Sequence, residues 1–195
     1  MSDAPVASAT RPDAAPSGDR LSDGPPLVVL VGPPGAGKST VAVLLGHRLG
    51  VPVRDTDDDI VAASGSSISD LFVDHGEAHF RELERVAVAA ALKTHPGVLA
   101  VGGGAVSRHD VRATLAGHRV VFLDVGLAEA AARVGLGVSR PLLLGNVRSQ
   151  MKALMDQRRP WYLEVATLTV DTDGLAPGDV CNAIVAALAA TGGDR

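Results

Sequence analysis

Lys38, Ser39 and the glycines that precede them are the residues of this chain best suited to chemistry. The stretch Val28 to Thr40 reads VVLVGPPGAGKST, and from Gly32 to Ser39 it fits GxxxxGK[ST] without a mismatch. In such a loop the backbone N–H groups turn inward around a phosphate, the lysine ammonium bridges the outer phosphates, and the hydroxyl after it holds Mg²⁺. Gly35, Ala36, Gly37, Lys38, Ser39 and Thr40 are therefore the expected phosphate ligands, at the positive end of the helix that follows.

A second group is acidic: Asp55-Thr56-Asp57-Asp58-Asp59. An aspartate at the tip of a strand beside a phosphate loop can orient Mg²⁺ through its waters, and a second one can accept the proton of an attacking hydroxyl. Asp55 suits the first task and Asp57 the second, because a spacing of two in an extended chain puts both on one side. Asp58 and Asp59 read as capping residues. Three consecutive glycines, Gly102, Gly103 and Gly104, lose much entropy on ordering and make sense where backbone approaches an anion. Arg81, Arg158 and Arg159 supply cations, and a guanidinium fork matches a carboxylate with two parallel bonds. Together these residues imply Mg²⁺-dependent phosphoryl transfer to a small anionic acceptor that carries hydroxyls.

The elements that must position them alternate. Strands are expected at Leu27–Val31, Val53–Asp55, Val98–Val101, Val120–Asp124 and Leu168–Asp171. Helices are expected over 38–49, with Val41, Leu44, Leu45 and Leu49 on one face, and over 110–116, 128–134, 147–165 and 177–190. Ser67 with Asp70 forms a capping-box pattern for a short helix to His75, and a longer one follows from Glu77 to Thr94. Gly135 to Asn146 reads as irregular, with Arg140-Pro141 inside it, and Pro160 predicts a kink or break. Five apolar runs separated by helices call for a five-stranded parallel sheet in a three-layer α/β/α fold, with the site at the carboxyl ends of the strands.

Composition narrows the class. At 195 residues and 46% hydrophobic the chain can bury one good core, so a single domain over 26–195 is expected, with a disordered, Ala- and Pro-rich leader at 1–25. A formal charge of −4 argues against nucleic acid as a partner. Cys181, the one cysteine, reads as a packed core residue, and no disulfide framework exists. No apolar run is long enough to span a bilayer, so a cytoplasmic protein with no membrane contact is expected; a monomer is expected as well.

In the order and spacing of GPPGAGKST, DTD (Asp55–Asp57), GEAHFRELE (Gly76–Glu84), GGGAV (Gly102–Val106), SRPLL (Ser139–Leu143) and RRPWY (Arg158–Tyr162), the chain resembles the shikimate kinases over about residues 27–190. The resemblance implies a P-loop kinase fold with a mobile lid. It also implies ATP- and Mg²⁺-dependent phosphorylation of the 3-hydroxyl of shikimate, giving shikimate 3-phosphate and ADP on the route to chorismate and aromatic amino acids. By the same resemblance, Asp57, Arg81 and Arg158 hold shikimate beside Gly102, Gly103 and Gly104, with Asp57 also handling the proton. Lys38 and Ser39 serve the phosphates and the metal, with Asp55 behind it. Arg140 comes from the lid to assist catalysis over the nucleotide, and Arg133 lies near the adenine. The segment Asp171 to Pro177 carries no cation where such kinases often hold an arginine against the base. A gluconate-type sugar-acid kinase is the nearest rival reading, against which DTD and GGGAV count; a nucleotide-binding module without catalysis is the other.

Overall fold

The computed structural model describes residues 24–135 and 141–192. Nearly all of the expected leader, and Arg140 with the centre of the expected lid, lie outside the described residues. The elements in chain order are β1 (Val28–Val31), α1 (Lys38–Leu49), β2 (Val53–Asp55), α2 (Thr56–Ser64), α3 (Ile68–Thr94), β3 (Val98–Ala100), a 3₁₀ turn (Ala105–Ser107), α4 (His109–Leu115), β4 (Val120–Asp124), α5 (Leu127–Arg133), α6 (Pro141–Val165), β5 (Leu168–Asp171) and α7 (Pro177–Gly192).

The five strands form one sheet in the order β2-β3-β1-β4-β5, and every pairing is parallel. Strand β1 lies at the centre, with Val29 opposite both Leu99 of β3 and Val120 of β4. Its four residues are all buried, as a parallel strand covered on two faces requires. Alternation divides them: Val28 and Leu30 join Val41, Leu45, Val180 and Ile184 on the α1/α7 face. Val29 and Val31 join Val88, Leu115, Phe122 and Tyr162 on the face covered by α3, α4 and α6. Each such aliphatic side chain, fully buried, stabilises by about 1.5–3 kcal/mol.

Helix α1 ends at Gly50, whose left-handed backbone closes it. Its buried face is Val41, Ala42, Leu45 and Gly46, while Leu44 turns out to be 42% exposed. The expected capping box is present at Ser67, whose Oγ accepts from the Asp70 N–H at 3.1 Å. Gly76, at φ 79°, interrupts α3 where two helices were expected. Cys181 is buried, as its apolar surroundings predict.

Three expectations are corrected. Residues after Asp55 do not continue as an extended loop but enter helix α2 at once, with Asp55 as its N-cap accepting from the Asp57 N–H at 3.0 Å. Helix α6 begins at Pro141 rather than Val147, a proline in the first turn needing no intrahelical N–H partner. The same helix continues through Pro160 to Val165 instead of breaking there.

Candidate active site

Three segments at the carboxyl rim face one crevice. The first is the loop after β1. Gly35, at φ 81°, packs so closely on α5 that an added Cβ would lie 2.6 Å from the Ala130 carbonyl oxygen, so only glycine serves. The Lys38 ammonium folds back over this loop and donates to the carbonyls of Gly32 at 2.9 Å and Pro33 at 3.2 Å. Burial lowers its pKa from the ordinary lysine value, and the carboxylates of Asp57, Asp55 and Glu84 oppose that shift. The Ser39 hydroxyl donates to Asp55 Oδ2 at 2.8 Å. Ser39 and Asp55 therefore meet as the sequence pattern anticipates, although no group of three or more His, Cys, Asp or Glu side chains suited to a metal occurs among the described residues. A hydroxyl backed by a carboxylate, beside a phosphate cradle, fits Mg²⁺ that takes its remaining ligands from phosphate and water.

The second segment, the start of α2, carries Asp57. It stands in the first turn of α2 rather than in extended chain, so the shared orientation of Asp55 and Asp57 comes from the cap and not from strand alternation. Burial raises the Asp57 pKa, and repulsion from Asp55 adds to the shift; Lys38 and Arg81 pull the other way. Asp58 is exposed, and Asp59 is tied to Arg54 at 2.7 Å. Neither joins the crevice.

The third segment is the glycine run. The Gly102 N–H donates to the buried Thr56 hydroxyl at 3.0 Å, and a Cβ on Gly102 would collide with the carboxylates of Asp57 and Glu84. A Cβ on Gly104 would fall onto the Arg81 guanidinium. The run is thus explained by close approach: functional side chains occupy the space beside the backbone. Arg81 is itself held by ion pairs to Glu84 and Glu77, the latter at 2.8 Å, with only 13% of its side chain exposed. Arg158, on α6, donates to the Gly103 carbonyl at 3.4 Å. Arg159 instead pairs with Asp124 at 2.6 Å on another flank and does not enter the crevice.

Glu84 and Tyr162 are the members that sequence reasoning did not single out. Glu84 is 1% exposed, and burial raises its pKa against the pull of Arg81. Its spacing gave a usable signal: Phe80, Glu84 and Val88 recur every four residues, so the carboxylate lies on the apolar face of α3. The Tyr162 hydroxyl donates to the Gly103 carbonyl, and burial pushes its pKa up to about 12.

Beyond the phosphate loop a cavity of about 500 Å³ is lined by residues 35–41 together with Glu129, Arg133, Val134, Thr172 and Leu175. Arg133 spans it, donating to the Gly35 carbonyl at 3.3 Å and to the Thr172 carbonyl at 2.8 Å. The absence of a cation in the segment 171–177 is thus met by an arginine from α5 that reaches that segment from the side.

Known proteins resemble this chain in sequence and in fold. The family model described as Shikimate kinase matches residues 34–189. A shikimate kinase of Salinispora arenicola is 56% identical over 85% of this chain and 99% of that protein, and one of Thermobifida fusca is 53% identical over 86% and 97%. Among solved structures, the shikimate kinase from Acinetobacter baumannii in complex with shikimate superposes with a TM-score of 0.78 at 33% identity, covering 86% of this chain and 94% of that one.

Proposed function

This chain belongs to the shikimate kinase family, and on that footing we propose that it transfers the γ-phosphoryl group of ATP to the 3-hydroxyl of shikimate. The products are shikimate 3-phosphate and ADP, on the route to chorismate and the aromatic amino acids. The observation that carries the reading is the Arg81 and Arg158 pair converging on the three-glycine turn within reach of Asp57 and Lys38. A planar carboxylate suits the two guanidinium groups, and a hydroxyl beside Asp57 then faces the phosphate loop.

In this reading the triphosphate lies along the amides of Gly35, Ala36, Gly37, Lys38, Ser39 and Thr40. Lys38 exchanges its bonds to the loop carbonyls for the outer phosphates, gaining back the charge stabilisation that burial removes. Mg²⁺, when bound, neutralises charge on the β- and γ-phosphates; Ser39 and Asp55 are the residues that would hold it, Asp55 through water. The shikimate 3-oxygen attacks the γ-phosphorus, the bond from that phosphorus to the β-bridging oxygen breaks, and the hydroxyl proton passes to Asp57. Arg133 braces the nucleotide cavity between the phosphate loop and Thr172. We take the enzyme to act as a monomer in the cytoplasm. Among the described residues no helix is long and apolar enough to cross a membrane.

The product decides the regiochemistry. In a phosphorus–proton correlated NMR spectrum of the reaction mixture, phosphorus should couple to the proton on carbon 3 of the ring. Coupling to the proton of another ring carbon would overturn the assignment of the accepting hydroxyl.

A further inference from the structure

Tyr162 has no part in the mechanism above, yet its side chain is among the most fully enclosed in the protein, at 1% exposure. It stands on α6 one turn after Arg158, with its ring stacked on Phe122 of β4 at 5.0 Å between centroids and 18° between planes. That stack fixes the ring and so aims the hydroxyl, which as a buried phenol must find an acceptor. The acceptor is the Gly103 carbonyl, the same oxygen that receives Arg158 Nη1 at 3.4 Å. One atom therefore joins the glycine turn to a candidate carboxylate-binding arginine.

The bond also sets the direction of the backbone. The chain contains no cis peptide among the described residues, and in a trans peptide the carbonyl and the following N–H point to opposite sides. With the Gly103 carbonyl turned to Tyr162, the Gly104 N–H faces away from it. The N–H groups of Gly103 and Gly104 have no hydrogen-bond partner among the described residues, and so are free to serve a ligand. The phosphate loop lies against the same turn: a Cβ on Gly103 would stand 3.1 Å from the Gly32 carbonyl oxygen and 3.2 Å from Pro34 Cδ.

We infer that Tyr162 is a positioning residue for the acceptor: its hydroxyl clamps the Gly103 carbonyl, holding the Gly103–Gly104 peptide and the Arg158 guanidinium in the arrangement that receives the anion. The inference rests on the reading of this crevice as the shikimate site. Tyr162 touches neither substrate and acts through Gly103 and Arg158.

Tyr162→Phe keeps the ring and its stack and removes only the hydroxyl. In calorimetric titration and steady-state kinetics the Kd and KM for shikimate should rise about tenfold, the effect of unpairing one buried polar contact, while KM for ATP stays within about twofold. In an Arg158→Ala background the same substitution should weaken shikimate by only about threefold or less, because one of the two groups it positions is gone and only the Gly103–Gly104 peptide remains to be held. Phe122→Leu is a graded control, since it loosens the stack that aims the hydroxyl but keeps the hydroxyl itself. It should lower the melting temperature more than Tyr162→Phe does, and raise the shikimate Kd less. An unchanged shikimate Kd in Tyr162→Phe, equal losses for shikimate and ATP, or a full tenfold loss in the Arg158→Ala background would each overturn the proposal. Phosphorylation of shikimate by the unaltered chain is read in the same assay, so failure of the acceptor assignment is seen separately from failure of the Tyr162 role.

Discussion

The guanidinium of Arg81 fills the space that a Cβ on Gly104 would take. The third glycine of the run thus serves less as a flexible joint than as the missing wall of a slot for an arginine. Gly104 itself has an ordinary right-handed backbone, at φ −94° and ψ −18°. Gly104→Ala is therefore unstrained in the main chain and displaces only the end of a long side chain. The expected result is a loss of shikimate affinity of tenfold or more, about 1.4 kcal/mol or above, with ATP affinity unchanged. Melting should shift by no more than a few degrees, and calorimetry with thermal denaturation checks both.

Asp57 links function to stability with opposite signs. Its carboxyl pKa lies above the ordinary value, chiefly because of burial and then because of Asp55. A carboxylate whose folded pKa exceeds its unfolded pKa favours the fold only while protonated. That contribution is present below the unfolded pKa and is lost as pH rises through the folded one. Asp57→Asn should therefore raise the melting temperature at pH 8, and the gain should vanish near pH 4, around the ordinary aspartate pKa. Turnover should fall by about a hundredfold or more, since the proposed proton acceptor is gone. Melting curves across that pH range, beside kcat, test the sign.

Lys38 offers a cleaner separation of binding from chemistry. Phosphoryl transfer depends on charge stabilisation, so Lys38→Ala should reduce kcat by about a thousandfold or more. Shikimate binding in the absence of nucleotide should persist. Single-turnover kinetics and shikimate titration together check this, and near-normal turnover would remove the phosphate-loop assignment.

Arg133 tethers the phosphate loop to the segment after β5 through Gly35 and Thr172. Arg133→Ala should raise KM for ATP by about tenfold, and leave KM for shikimate within twofold. Loss in both constants would mean that the tether stabilises the whole rim rather than the nucleotide cavity.

How much of this was legible from residues alone can be traced element by element. The phosphate loop, the five strands and the arginines at 81 and 158 carry local signals of spacing and pattern, and the structure brings them together. Helix α2 was not foreseen because its start is an acidic run that reads equally as a loop, and its packing on α3 comes from long-range contacts through Ile60 and Leu71. The exposure of Leu44 shows how helix α1 chooses between adjacent leucines by what α7 and β3 leave room for. The glycine run announced a close approach but not its partners. Those are side chains from α2 and α3 at Gly102 and Gly104 and the phosphate loop at Gly103, and no local rule names them. Glu84 was hidden for the opposite reason: in FRELE it resembles a surface charge, and only its four-residue spacing from Phe80 and Val88 betrays burial.

If the arginine-flanked crevice takes shikimate while the phosphate loop takes ATP, ADP release must depend on shikimate. A coupled assay with shikimate, with gluconate and with no acceptor measures that dependence. One ADP should be released per shikimate consumed, with gluconate at the level of no acceptor. Faster release with gluconate than with shikimate, or a rate that does not respond to shikimate at all, would contradict this assignment of the crevice.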